Sequence, residues 1–286
     1  MSRVRTFSNS NSNSNSNSNS NSNSTMIYEI CSQTDTGLTR DNNEDAIAVD
    51  VSTGLCLLAD GMGGYNAGEI ASGMAVAFIN AEMARWLAQT GLNSSARDVR
   101  RALEICVENA NHSIFTAANS NPQYRGMGTT LVAGVFQGTR ATLGHIGDSR
   151  CYRLRGQEFQ QLTHDHSLLQ EQLDAGLISQ EDAHTSLNRN LVTRALGVEE
   201  MVMVELNEYR VEAGDLYLMC SDGLSDMVRD GDIASILLES GTLQAKAEHL
   251  VLQANENGGR DNISVLLVHA KERVVKRGVF SRMLGK

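Results

Sequence analysis

The chain has 286 residues, with 34 Asp plus Glu against 24 Lys plus Arg, a formal net charge of −10, and one proline. That length is ample for a buried core. The acidic excess excludes the basic footprint that nucleic-acid phosphates require. No apolar run approaches the ~20 residues that span a bilayer. The N-terminus MSRVRTF leads into polar repeats, so neither a transmembrane helix nor a secretory signal is expected.

From the N-terminus, residues 8–24 alternate Ser and Asn. Such a tract cannot bury apolar surface, and residues 1–25 are expected to form a disordered extension. The region 26–270 reads as one continuous domain. Long Ala-, Leu- and Met-rich blocks predict helices over 67–89 and 95–118. Short apolar or β-branched runs predict strands over 129–136, 140–146, 201–206, 216–220 and 263–269. A helix is expected over 242–255, capped by Thr242. Between them, 165–197 is polar, with two short helical stretches, and is expected to lie as an insertion over one face of the core. The tail 271–286 has six basic residues and one acidic residue; Val275, Val279 and Met283 would line one face of a short helix able to dock on a partner or an anionic membrane.

The five cysteines are widely spaced, without a CxxC pair, and suit a reducing cytoplasm better than a disulfide framework. The chemistry lies in the carboxylates. Asp60 ends LCLLAD, Asp148 follows LGHIG, Asp222 follows LYLMCS, Asp261 precedes the strand ISVLLVH, and Glu44 and Asp45 precede AIAV. A carboxylate at the end of a buried strand is costly to desolvate unless paired or bound to a cation. Several of them point to hard divalent ions with oxygen ligands, Mg²⁺ or Mn²⁺. Gly61 would let a main-chain carbonyl approach such an ion. Taken one at a time, Asp-Gly steps are ordinary turns.

Eight segments in order turn this pattern into a resemblance: GLTRDNNED, LLADGMGG, GMGTTLVAG, HIGDSRCYRL, LTHDHSL, LVTRALG, GDLYLMCSDGL and GGRDNISVLLV. The sequence resembles the metal-dependent Ser/Thr protein phosphatases of type 2C, in their bacterial form. The resemblance implies an α+β fold, a four-layer α-β-β-α sandwich of two antiparallel sheets flanked by helices, with the metals in a cleft at one end. It implies two Mn²⁺ or Mg²⁺ ions and, in bacterial members, a third, weaker one. Asp60 matches the bridging ligand, Gly61 the carbonyl ligand, Glu44 a ligand of the second ion, and Asp222 and Asp261 ligands of the first. Asp148 matches a residue that with Asp222 can hold the third ion. Asp45 matches a position acting through metal-bound water, and Arg40 the arginine that grips the substrate phosphate.

The reaction implied is direct attack on phosphorus by a metal-activated water, without a side-chain nucleophile, on phosphoserine or phosphothreonine. The partners implied are phosphorylated proteins, a cognate Ser/Thr kinase and its substrates, in bacterial signalling. One departure is Met62, where many eukaryotic members have a histidine proposed as general acid. His164 and His166 are candidates for that role by residue type alone. A phosphoprotein-binding module without turnover would be marked by a lost metal ligand, and none is lost.

Overall fold

The computed structural model describes residues 5–8, 24–64, 67–90, 94–179 and 191–274. Two antiparallel sheets pack face to face. One has the order β1-β2-β12-β11-β8-β9, from β1 (Arg5–Ser8), β2 (Ser24–Asp35), β12 (Ile263–Val274), β11 (Leu216–Cys220), β8 (Arg150–Arg155) and β9 (Glu158–Gln161). The other has the order β10-β7-β6-β4-β3, from β10 (Glu205–Arg210), β7 (Arg140–Ile146), β6 (Leu131–Gln137), β4 (Leu55–Met62) and β3 (Asp45–Asp50), with the two-residue β5 (Gly128–Thr129) paired to the end of β4.

The period-two alternation of each strand divides its side chains between two cores. Leu55, Leu57 and Ala59 of β4 face the long helices α1 (Ala67–Thr90) and α2 (Ala96–Ser120), together with Ile79, Met83, Leu103 and Val107. Cys56 and Leu58 turn instead toward the other sheet, against Tyr28, Tyr217, Met219 and Leu266. In that sheet Leu216, Leu218, Val265 and Leu267 point outward onto α5 (Asp230–Leu238) and α6 (Leu243–Glu256). Helices thus cover both outer faces, giving four layers. Phe136 sits between Tyr28 and Tyr217, ring centroids 5.5 and 5.2 Å away, at the centre of the inter-sheet core. Such aromatic pairs add to the burial of their own area.

Caps set the helix starts. Ser95 Oγ accepts from the Asp98 amide at 3.2 Å, and Thr242 Oγ1 from the Ala245 amide at 3.1 Å. Strands 140–146 and 216–220 fall where the sequence places them. The strand expected over 201–206 is displaced, running over Glu205–Arg210. Its register is set by pairing with β7, Glu205 opposite His145 and Arg210 opposite Arg140. Met201 and Met203, which suggested the earlier start, are 85% and 79% exposed. Residues 5–8, inside the segment expected as an extension, pair antiparallel with Ile27–Ile30; Thr6 and Phe7 suit a strand. Most of the Ser-Asn tract, the second helical stretch of the insertion, and Val275, Val279 and Met283 lie outside the described residues. The last strand continues to Val274, into the segment read as tail.

All five cysteines are buried, and none is in a disulfide. No helix among the described residues is long and apolar enough to cross a membrane.

Candidate active site

The strand ends that carry the carboxylates meet at one end of the sandwich. Arg40, Glu44, Asp60, Gly61, Met62, Asp148, Asp222 and Asp261 line one cleft of about 210 Å³, with Thr130 and Val192. The carboxylates come from both sheets: Glu44, Asp45 and Asp60 from the β3–β4 hairpin, Asp222 and Asp261 from the ends of β11 and β12, and Asp148 from the link between β7 and β8.

The β3–β4 register sets Asp45 opposite Asp60. The Asp60 main chain is fully used: its amide donates to Thr130 Oγ1 at 3.0 Å, and its carbonyl accepts from the Thr130 amide at 2.9 Å and Thr129 Oγ1 at 2.8 Å. Its carboxylate is left to the cleft. The next residue must be glycine, because a Cβ on Gly61 would lie 2.1 Å from the Gly68 carbonyl oxygen. That close approach brings the start of α1 against Glu44, whose carbonyl accepts from the Gly61 amide at 3.1 Å.

On the other sheet, Asp222 opens the one-turn helix α4 (Asp222–Ser225) directly after β11. A Cβ on Gly223 would lie 2.0 Å from the Asn262 carbonyl oxygen, so glycine allows α4 to abut the start of β12. Asn262 stitches the two halves together. Its Nδ2 donates to the carbonyls of Thr36 and Asn42, both at 2.9 Å, and its Oδ1 accepts from the Glu44 amide at 2.7 Å. Ser221 Oγ donates to Asp45 Oδ2 at 2.9 Å and accepts from the Ser264 amide at 3.0 Å. Arg40 Nη2 donates to Asp261 Oδ2 at 2.7 Å and keeps half of its side chain exposed.

The electrostatics are those of uncompensated anions. Burial, then repulsion from Asp45, Asp222, Asp148 and Asp261, drives Asp60 well above the usual carboxylate range. Burial and then Asp148 do the same to Asp222. Burial pushes Asp45 up to about 7, and burial with Asp165 pushes Asp148 up to about 6. Asp45 Oδ1 and Asp222 Oδ1 are buried without a hydrogen-bond partner among the described residues. Among the described residues, Arg40 is the only cationic side chain on the cleft wall. Buried, unpartnered and mutually repelling carboxylate oxygens fit a site for hard divalent cations.

Sequence reasoning missed Thr130, Ser221 and Asn262, ordinary polar residues beside the motif aspartates. It named two histidines that lie elsewhere. His164 is exposed, 2.7 Å from Asp174, and neither it nor His166 lines the cleft. Asp165 is bound by the forked guanidinium of Arg150 at 2.6–3.0 Å. A larger cavity, about 740 Å³, lies at the opposite strand ends. There Arg155 already pairs with Asp215 and Glu212, and Lys271 with Glu29, so it gathers no set of unpaired ligands.

A family model described as Protein phosphatase 2C matches residues 38–257. The serine/threonine phosphatase stp of Listeria innocua is 39% identical over 239 residues, 82% of this chain and 93% of that protein. The crystal structure of the Mycobacterium tuberculosis serine/threonine phosphatase PstP/Ppp is 38% identical, with a TM-score of 0.76 over 85% of this chain and 99% of that one. The catalytic domain of the serine/threonine protein phosphatase PstP in complex with two manganese ions is 36% identical, with a TM-score of 0.75 over 86% of this chain and 99% of that one.

Proposed function

Since the chain belongs to the protein phosphatase 2C family, we propose that its acidic cleft is the metal centre and phosphate site of a phosphoserine/phosphothreonine protein phosphatase. The enzyme is metal-dependent, using Mn²⁺ or Mg²⁺. The observation that carries the site assignment is the convergence of Glu44, Asp60, Asp148, Asp222 and Asp261 on one cleft, with Asp222 Oδ1 and the neighbouring Asp45 Oδ1 buried and without a hydrogen-bond partner among the described residues.

In this reading Asp60, the Gly61 carbonyl, Glu44, Asp222 and Asp261 would hold two ions. Asp148, with Asp222, serves a third. Asp45 is held by Ser221 and acts through bound water. When bound, the ions supply an activated water and positive charge beside the phosphoryl oxygens. The chain's own part is geometric and electrostatic. Arg40 presents two parallel donors to phosphate oxygens from the rim of the cleft, and the β3–β4 register fixes the distance between its ligands. Met62 lines the cleft and has no proton to give, so the departing Ser or Thr oxygen takes its proton from bound water or from another group.

The catalytic domain of this reading spans 26–270, with the flap at 165–197 beside the cleft and its last strand running to Val274. It works in the cytoplasm on phosphorylated proteins, a Ser/Thr kinase and its substrates among them. The basic residues beyond Val274 dock on a partner or an anionic surface.

The test is Mn²⁺-dependent hydrolysis of p-nitrophenyl phosphate and of a phosphothreonine peptide, lost in Asp222→Ala. Full activity in excess chelator refutes it. A chain lacking 275–286 with unaltered partner or membrane association rejects the docking role.

A further inference from the structure

The loop that carries Asp148 is tethered by a residue outside the cleft. Gly147 adopts φ +102°, and a Cβ there would meet Thr130 Cγ2 at 2.6 Å, so the loop is gripped through its main chain. His166 grips it twice. Its amide donates to the Gly147 carbonyl at 2.8 Å, and its Nδ1 accepts from the Gly147 amide at 3.1 Å. The buried ring stacks on His145, centroids 4.7 Å apart with the planes at 33°.

The Gly147 amide is a donor fixed by the chain, so the neutral ring carries its proton on Nε2, where Glu205 Oε2 lies 3.6 Å away. Arg194 Nη1 lies 3.1 Å from the same nitrogen and, being a donor only, makes no hydrogen bond to it in this tautomer. His145, His166 and Glu205 are close enough to suggest a cation site. With one nitrogen of His166 accepting and the other protonated, that ring has no lone pair left for a metal.

The other side of His166 meets the flap. Its carbonyl accepts from the Thr193 amide at 2.8 Å, the next residue, Ser167, bridges to Val192, and the Leu168 amide donates to the Leu191 carbonyl at 2.8 Å. Val192 lines the cleft.

We propose that His166 is a positioning residue, which holds the Gly147–Asp148 loop so that the Asp148 carboxylate faces the cleft and ties that loop to both stems of the flap. This rests on the reading of Asp148 as a metal ligand. The test is Mn²⁺ binding by isothermal titration calorimetry on the full chain, comparing wild type with Asp148→Ala, His166→Phe and His166→Asn. Phenylalanine keeps a flat ring on His145 but accepts no hydrogen bond. Asparagine loses the ring but sets Oδ1 where Nδ1 stood.

Wild type binds a tight pair of ions and a weaker third, and Asp148→Ala loses the third. His166→Phe weakens the third ion by about 10-fold or more, as loss of a ligand's supporting contact does, and leaves the tight pair unchanged. His166→Asn recovers most of that loss. Should His166→Phe not fold, His166→Gln, whose acceptor falls at the Nε2 position, replaces it with the same expectation. Third-ion binding as in wild type for the variant lacking the acceptor, or weaker in His166→Asn than in that variant, overturns the proposal alone. Equal ion counts in wild type and Asp148→Ala overturn the reading of Asp148, and the proposal with it.

Discussion

In the proposed metal site, removing the divalent ions turns the cleft into a pH-dependent liability, and the structure sets its size. Burial moves Asp45 from 3.8 to about 7, and burial with Asp165 moves Asp148 from 3.8 to about 6. Both lie above their unfolded values, so the folded chain binds protons more tightly than the unfolded one. The stability they lend is full below about pH 4 and is lost as pH rises through about 6 and 7. At ~1.4 kcal/mol per pH unit, the two groups together cost the chelated protein about 3 kcal/mol between about pH 5.5 and 7.5. For a domain of this size that is a fall in Tm of about 6–10 °C. The assay is differential scanning fluorimetry in excess chelator at the two pH values, repeated with saturating Mn²⁺. With the ions bound, the carboxylates stay ionised at both pH values, the slope flattens and Tm at neutral pH rises. A chelated protein that melts no lower at about pH 7.5 than at about pH 5.5, or a Tm that ignores Mn²⁺, would refute the reasoning.

Further outcomes follow from single contacts. Asp222→Asn keeps the shape but removes a charge from the cleft, and turnover of p-nitrophenyl phosphate with Mn²⁺ falls by about 100-fold or more. Arg40→Lys retains the cation but not the paired donors, and kcat/KM on a phosphothreonine peptide falls about 10-fold, equivalent to ~1.4 kcal/mol. Gly61→Ala forces a methyl against the Gly68 carbonyl and lowers urea stability by about 2–3 kcal/mol; a midpoint equal to wild type counts against that contact.

Periodicity sufficed where a strand is buried on both faces. Runs such as LYLMC of β11 and ATLGHI of β7 are long, apolar and bounded by turns. It misplaced β10, an edge strand whose residues, ELNEYR, are mostly polar and whose position comes from its partner β7. It passed over β8, β9 and α5, which are short, or are interrupted by arginines as in RCYRLR. The convergence of the aspartates was legible through the order of the motifs and not through spacing, because no local pattern says that residues 60 and 222 meet. Asn262 and Ser221 had no signal at all. Their work is to bond main chain from distant segments, and any turn asparagine or serine looks the same in a sequence.

The cleft is a seam. Asp45 and Asp60 belong to one leaf of the sandwich and Asp222 and Asp261 to the other, so whatever neutralises them also cross-links the leaves. In the proposed metal site, ion affinity and the cohesion of the two sheets are then one thermodynamic quantity viewed from two ends. A change that loosens the packing of Phe136 between Tyr28 and Tyr217 draws on the same free energy that gathers the ligands. The inter-sheet core is, in that sense, part of the catalyst.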